Sequence, residues 1–305
     1  MKLSIVTTMY FSEPYLDEFY SRCMAKAEKL TNDIEMIFVN DGSPDNSLEK
    51  AIELHQKDPR VIVIDLSRNF GHHKAMMAGL ANSSGDYIFL IDSDLEEQPE
   101  FLGSLFDTLM KNKSCDVVYG IQEERKGGWF EKISGELLYR LVNRLSGSDM
   151  PRNIMVSRLM TRRYVDSLVE FRESELFIAG LWYITGYEQI GIIGKKSDKG
   201  TSTYDLTKKL KLTINSITSF SNKPLYYIFL TGLLISAMSL IYMIYLLINR
   251  IIFYRPIPGW TSIVLSIWLL GGIIILFLGI IGIYLSVIFI ETKQRPYTIV
   301  RKIWN

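Results

Sequence analysis

The stretch Ile91–Glu100, "IDSDLEEQPE", places five carboxylates in ten residues: Asp92, Asp94, Glu96, Glu97 and Glu100. It follows directly on "YIFL", an apolar run that reads as a buried strand. Like charges this close repel unless something positive sits among them. Asp92 and Asp94 alternate around Ser93, and on an extended chain both carboxylates point the same way. Two carboxylates on one face suit a hard divalent cation such as Mg²⁺ or Mn²⁺, which takes oxygen ligands and bridges to phosphates. Paired carboxylates also serve as acid and base in glycoside hydrolysis, and a solvated acidic loop needs neither role. The position at the end of a buried strand favours the metal–phosphate reading over a D-x-D in isolation.

The elements that must hold these residues are legible as alternation. Short runs rich in Val, Ile, Phe and Tyr begin at Leu3, Ile34, Val61, Tyr87 and Asp116. Helical stretches such as "EPYLDEFYSRCMAKAEKL" and "PEFLGSLFDTLMKNK" lie between them. Continuous apolar strands alternating with helices mean an α/β fold with a mostly parallel sheet covered on both faces. Ligands bind such sheets at the carboxyl ends of the strands. The second strand ends in "VNDGSPDNS", the third in "DLSRNFGHHK" and the fourth in the acidic stretch. A turn with a helix N-cap explains "NDGSPD" by itself, but three polar strand ends converging on one edge make a site.

From Pro224 the chain changes character. No charged residue separates Lys223 from Arg250, and none separates Arg255 from Glu291. Each apolar run exceeds the roughly 20 residues that a spanning helix needs, and globular core helices of such length carry a polar face. Tyr226, Tyr227, Tyr254 and Trp260 lie near the run ends, as interfacial anchors do. The expected organisation is a domain over 1–204, an amphipathic juxtamembrane segment over 205–223, two transmembrane helices within 224–290 (about 225–248 and 262–290), and a tail over 291–305. The short linker "RIIFYRPIPG" makes the helices a hairpin. Lysines and arginines flank its outer ends, which by the positive-inside rule puts the N-terminal domain and the tail in the cytoplasm, on the inner (plasma) membrane. Met1 leads straight into a strand-like run, so no signal peptide is expected. Gly271, Gly272, Gly279 and Gly282 could pack paired hairpins into a homo-oligomer.

The balanced charge, formally +1, gives no sign of a nucleic-acid partner. Cys23 and Cys115 have no metal-ligand spacing and read as packing residues in a reducing compartment.

Taken together, "VNDGSPD", "LSRNFGHHKAMMAGL", "GDYIFLIDSDLEEQPE" and "RLM" resemble, in order and spacing, the family-2 inverting glycosyltransferases. The nearest branch is the polyprenyl-phosphate sugar synthases, which include the bactoprenol glucosyl transferases and dolichol-phosphate mannose synthase. "SITSFSNKPL", "LGGIIILFLGIIGIYL" and "IETKQRPY" extend the resemblance to the C-terminus. It implies a GT-A Rossmann-like fold, a nucleotide-sugar donor (UDP-linked), a polyprenyl (undecaprenyl) phosphate acceptor in the membrane lipid, and Mg²⁺ or Mn²⁺. By residue it implies that Thr8, Tyr10 and Glu13 lie near the nucleotide base and that Asp41 contacts the nucleotide. It also implies that Arg68 and Asn69 shape the donor site, and that Asp92 and Asp94 hold metal and diphosphate with Glu96 as a further ligand. Arg158 falls near the acceptor phosphate; Lys195, Lys196 and Lys199 precede "GTSTY", where the family has an arginine, and Lys195 and Lys199 are the expected acceptor-side lysines.

This chain also departs from the pattern. Glu96 replaces a common Gln, "NFGHHK" with His72 and His73 replaces "NFGKE", and Val156 stands where the family has an aspartate that is a candidate base. A phosphate monoester tolerates that loss: its second pKa is about 6, so it is largely dianionic at neutral pH and needs no base. The expected activity is inverting transfer, with Asp94 and Arg158 as the catalytic residues. Transfer to another lipid, and a catalytically silent partner that binds nucleotide sugar, remain alternatives. The absence of Q-x-x-R-W and the two apolar runs argue against a polysaccharide synthase.

Overall fold

In a computed structural model of the chain, residues 1–122, 153–173, 176–196, 223–253 and 259–305 are described. The first half alternates as expected: β1 (Lys2–Met9), α1 (Leu16–Ala27), β2 (Asp33–Asn40), α2 (Ser47–Lys57), β3 (Val61–Leu66), α3 (His72–Ala81), β4 (Tyr87–Leu90) and α4 (Leu102–Lys111). There follow β5 (Val117–Gln122), β6 (Ile154–Thr161), α5 (Arg162–Val169), α6 (Ile178–Ile184) and β7 (Gln189–Gly194). Two long helices, α7 (Lys223–Phe253) and α8 (Trp260–Thr292), precede β8 (Val300–Trp304).

Among the described residues the strands form one sheet in the order β7-β5-β6-β4-β1-β2-β3-β8. β1 to β4 are mutually parallel, whereas β6 runs antiparallel to β4 and β5, and β8 antiparallel to β3. β1 and β2 are buried along almost their whole length, which is why their sequences lack a polar alternation. On one face Leu3, Ile5, Met36 and Phe38 pack with Phe19 and Cys23 of α1 and Leu102 and Leu105 of α4. On the other, α3 lies so close that a Cβ at Gly79 would stand 2.5 Å from Val6 Cγ1 and 2.9 Å from Val39 Cγ2. That close approach fixes where α3 begins, at His72, beside the strand ends. Cys23 and Cys115 are free and buried, as packing residues.

The chain divides into two compact units. One comprises Met1–Glu136, Asp149–Tyr204 and Arg295–Asn305, and the other Leu137–Ser148 and Asp205–Gln294. In the second, Leu269–Thr292 is long and apolar enough to cross a membrane, and Lys223–Ile235 is a shorter apolar helix; one candidate span is therefore found among the described residues where two were expected. Apolar side chains of both helices stand exposed, Ile241 at 67% and Ile275 at 72%. The amphipathic segment expected over 205–223 lies outside the described residues except for Lys223, which begins α7. The C-terminal residues, read from sequence as a tail, include the edge strand β8.

Candidate active site at the strand ends

Parallel pairing brings the carboxyl ends of β1 to β4 to one edge. Because β6 is antiparallel, with Arg158 opposite Leu90, its first half reaches the same edge. β7 is parallel to β5, so Lys195 and Lys196 emerge there too. Three polar strand ends thus converge, together with two segments that the sequence pattern did not place.

Asp41, 3% exposed, follows β2 directly and holds the loop after β3. Its Oδ1 accepts the Phe70 N–H at 2.7 Å and its Oδ2 the Gly71 N–H at 3.0 Å. Burial pushes its carboxyl upward, opposed by those two N–H groups. In that loop Arg68 and Asn69 are exposed, and the Arg68 guanidinium stacks 4.1 Å over the Phe70 ring.

The acidic stretch does not continue as a strand. Ser93 and Asp94 form a turn and Leu95 has φ 61°, so the alternation that would align two carboxylates on an extended chain does not operate. The turn arises because Ser93 is drawn inward: its hydroxyl donates to the Thr8 carbonyl at 2.8 Å and lies 3.0 Å from Ser12 Oγ. Asp94 Oδ1 accepts the Glu96 N–H at 3.0 Å. Asp92 Oδ1 lies 3.3 Å from His72 Nε2, and His72 Nδ1 lies 3.0 Å from Thr8 Oγ1, linking β1, α3 and the acidic stretch. Burial by itself would lower the His72 imidazolium pKa, but Asp92, Asp41 and Asp94 outweigh it and raise it. His73 instead packs: its Nδ1 is 3.2 Å from the Leu176 carbonyl, its ring meets Phe177, and burial lowers its pKa.

The positive charges among the acids belong to the chain itself. Lys196 Nζ is 3.1 Å from Glu96 and 3.9 Å from Glu97, and Arg22 makes a two-pronged pair with Glu100 at 2.8 Å. Glu97, 1% exposed, accepts the N–H groups of Val156 at 3.1 Å and Ser157 at 2.6 Å. Burial raises its pKa, as does Asp92. Glu96, expected as a metal ligand, is therefore engaged with Lys196, because an isolated bridge pairs Glu97 with Lys196 and brings that lysine alongside.

The remaining sequence-predicted residues divide. Tyr10 is 50% exposed and packs edge-on against Phe11 at 4.8 Å, an aromatic pair beside the edge. Glu13 faces α2 instead, accepting the Asn46 side-chain amide at 3.1 Å. Arg158 is 1% exposed, stacked over Trp182 and 5.9 Å from Tyr119. Among the described residues its hydrogen bonds run to the Met155 and Val156 carbonyls, both at 3.4 Å, and burial lowers its pKa. The arginine that the resemblance puts near the acceptor phosphate is thus a buried cation. Lys195 is exposed, and Lys199 lies outside the described residues. Ser93 and Glu97 carry no signal of their own in the sequence, and which of the lysines at 195, 196 and 199 meets the acids is not legible there. The partners of Lys196 lie about a hundred residues away, joined only by strand pairing.

Among the described residues no three His, Cys, Asp or Glu side chains form a metal cage. The edge does fit an ion that brings its other ligands with it. Asp92 Oδ1 is buried and faces His72 Nε2 at 3.3 Å, and Asp94 stands two residues on. Mg²⁺ is usually held by one or two carboxylates and completed by substrate phosphates and water.

Comparison with known proteins agrees with this architecture. The model of glycosyl transferase family 2 matches residues 4–169. A glycosyltransferase of Mycobacterium tuberculosis is 51% identical over 305 residues, covering 100% of this chain and 89% of the relative. The uncharacterized glycosyltransferase YkcC of Bacillus subtilis is 35% identical, covering 99% and 94%. The SfII prophage-derived bactoprenol glucosyl transferase of Shigella flexneri is 30% identical, covering 99% and 98%.

Proposed function

Since the chain belongs to glycosyl transferase family 2, with its GT-A fold, we propose that it transfers a hexose from a nucleoside diphosphate, UDP foremost, to a polyprenyl phosphate with inversion at the anomeric carbon. The observation that carries this reading is the convergence of Thr8, Asp41, His72, Asp92 and Asp94 on one edge of the sheet. The acceptor class is supported by the full-length likeness to a bactoprenol glucosyl transferase.

The nucleotide lies across the ends of β1 and β2, with the exposed Tyr10–Phe11 pair offering an aromatic surface to the base. Asp41 keeps the Arg68–Gly71 loop shaped for the donor. Asp92 and Asp94 would hold Mg²⁺ or Mn²⁺, which when bound offsets the negative charge developing on the leaving diphosphate. His72, its charged form favoured by three carboxylates, adds positive charge beside the phosphates. The acceptor phosphate is its own nucleophile, so Val156 in place of a carboxylate leaves the chemistry intact. Arg158 supplies a cation that is already stripped of water, where an anion is attracted far more strongly than at the surface. The half-buried Lys196 and the exposed Lys195 add charge on the same side.

The apolar C-terminal helices anchor the protein in the membrane, α8 through the candidate span Leu269–Thr292, and the lysines and arginines that flank the apolar runs favour a cytoplasmic catalytic unit. The product, a lipid-linked sugar, serves surface-glycan modification such as that of O-antigen.

The test is a transfer assay in membranes with undecaprenyl phosphate, Mg²⁺ or Mn²⁺ and a panel of labelled nucleotide sugars. A labelled lipid that forms from one donor and vanishes in Asp94→Ala supports the reading. No lipid product from any donor overturns it.

A further inference from the structure

The C-terminal strand enters the same edge from the far side of β3, and no functional role has yet been assigned to it. β8 pairs antiparallel with β3, and the register slips between Asp65 and Leu66: Asp65 faces Lys302 while Leu66 faces Val300. Arg301 is therefore the extra residue of a β-bulge, a device that re-aims a side chain next to a site. Its guanidinium reaches two groups at the end of β3. Nη1 is 3.2 Å from Asp65 Oδ2, and Nη2 donates to the Ser67 carbonyl at 2.6 Å. The Ser67 N–H donates in turn to the Ile299 carbonyl at 2.9 Å. Ser67 is the residue immediately before Arg68, so both polar groups of the backbone that opens the donor loop are held by the C-terminal strand.

The other branch runs deeper. Asp65 is 2% exposed, and its Oδ1 accepts the Asn40 side-chain amide at 2.8 Å. Asn40, 3% exposed, accepts the Ser43 N–H at 3.0 Å through its own Oδ1. Ser43 Oγ accepts the Phe11 N–H at 2.8 Å. One guanidinium thus fixes the start of the Arg68–Gly71 loop directly, and through two buried side chains fixes the Asp41–Ser43 turn and the Tyr10–Phe11 pair. Fixing an amide this way orients the whole chain of acceptors, because each link has a single favourable hydrogen-bond direction. Asp65 is too buried to be left unpaired without cost.

We propose that Arg301, set by the β8 bulge, is a positioning residue for the donor-binding loops. The proposal deepens the donor reading above and rests on it for the nucleotide consequence, but not for the loop order. Two measurements on the full-length protein in detergent or membranes separate the two. Amide hydrogen exchange is compared between the wild type and Arg301→Ala, with Lys302→Ala as a control, since Lys302 stacks on Trp304 instead. Donor kinetics are measured on the same variants and on Arg301→Lys.

In Arg301→Ala the amides of Ser67, Phe70 and Gly71 lose protection while Val63 in the strand keeps it. The donor KM rises about tenfold, equivalent to ~1.4 kcal/mol, with kcat changed by less than about twofold. Arg301→Lys recovers part of the KM, since an ammonium can meet Asp65 but cannot fork to the Ser67 carbonyl as well. Lys302→Ala changes neither measurement. Unchanged exchange at Ser67–Gly71 in Arg301→Ala overturns the proposal, as does a fall in kcat and thermal stability with no KM change. If the wild type uses no nucleotide sugar, the donor reading fails and the exchange result alone decides the role of Arg301.

Discussion

Lys196 sets its ammonium nitrogen 3.1 Å from the Glu96 carboxylate, across a bridge that pairs Lys196 with Glu97. The acid that continues the Asp92–Asp94 series is therefore already neutralised by the chain. A partly exposed pair of this kind contributes less than about 1 kcal/mol, so Glu96→Gln is expected to keep transfer within about threefold and to respond to added Mg²⁺ or Mn²⁺ as the wild type does. Asp92→Asn and Asp94→Asn each lower kcat by about a hundredfold or more, as expected for groups acting on developing charge. An equal loss in Glu96→Gln, restored by added metal, would return Glu96 to the ligand set.

Gly42 occupies the left-handed region at φ 62°, and a Cβ there would lie 2.5 Å from the Asn69 nitrogen and 2.7 Å from the Arg68 carbonyl carbon. Gly42→Ala therefore strains its own backbone and pushes the donor loop. The expected cost is about 1–3 kcal/mol in unfolding free energy, with weaker donor binding. Gly186→Ala is the control: φ is 77° but nothing lies within 4 Å of the added carbon, so only the conformational part, about 1 kcal/mol, is lost and donor use is unchanged. Equal effects at the two positions would remove the loop contact from the explanation.

Glu35 links the start of the sheet to the loop before β4. Burial alone would raise its carboxyl, but Lys2 at 2.7 Å with the donors of Ser4 and Ser84 holds it at about 2, below the ordinary 4.5. The folded value lies below the unfolded one, so the stabilisation is complete above about pH 4.5 and disappears as pH falls through about 2. It amounts to about 3 kcal/mol. Denaturant unfolding in detergent between pH 6 and 2 reads it directly, with the pH range set by about those two values. Glu35→Gln lowers stability at pH 6 and flattens the acid limb, and an unchanged limb would rule this group out.

Arg158 is a buried cation whose hydrogen bonds among the described residues are two long contacts to carbonyl oxygens. For the fold alone an apolar chain of similar length serves as well or better than such a buried cation. Arg158→Met is expected to keep or raise stability, by up to about 1–4 kcal/mol, while transfer is lost. A large fall in Tm would instead give the Trp182 stack the dominant role.

The strand ends were readable because local patterning dictates them. Apolar runs around Ile5, Phe38, Ile64 and Phe89 are continuous because helices cover both sheet faces, and parallel pairing then brings Asp41, Arg68 and Asp92 to one edge. The extended reading of Asp92–Asp94 did not survive, because the hydroxyl of Ser93 is drawn into a turn by the carbonyl of Thr8. That partner lies 85 residues away. The family resemblance implied a place near the nucleotide base for Glu13, and in the structure its carboxylate accepts the side-chain amide of Asn46, a contact the sequence did not show.

The sequence by itself determined the α/β alternation, the apolar character of the two C-terminal helices, and the acids, glycines and "RNFG" loop of the candidate edge. These follow from periodicity and residue type, which act over a few neighbours. Tertiary structure alone decided which cation meets which acid: His72 with Asp92, Lys196 with Glu96, Arg301 with Asp65. It also decided that Arg158 is buried and that the last residues complete the sheet beside β3. Those pairings join residues distant in the chain, and their partners are set by strand order and register, which no local pattern carries.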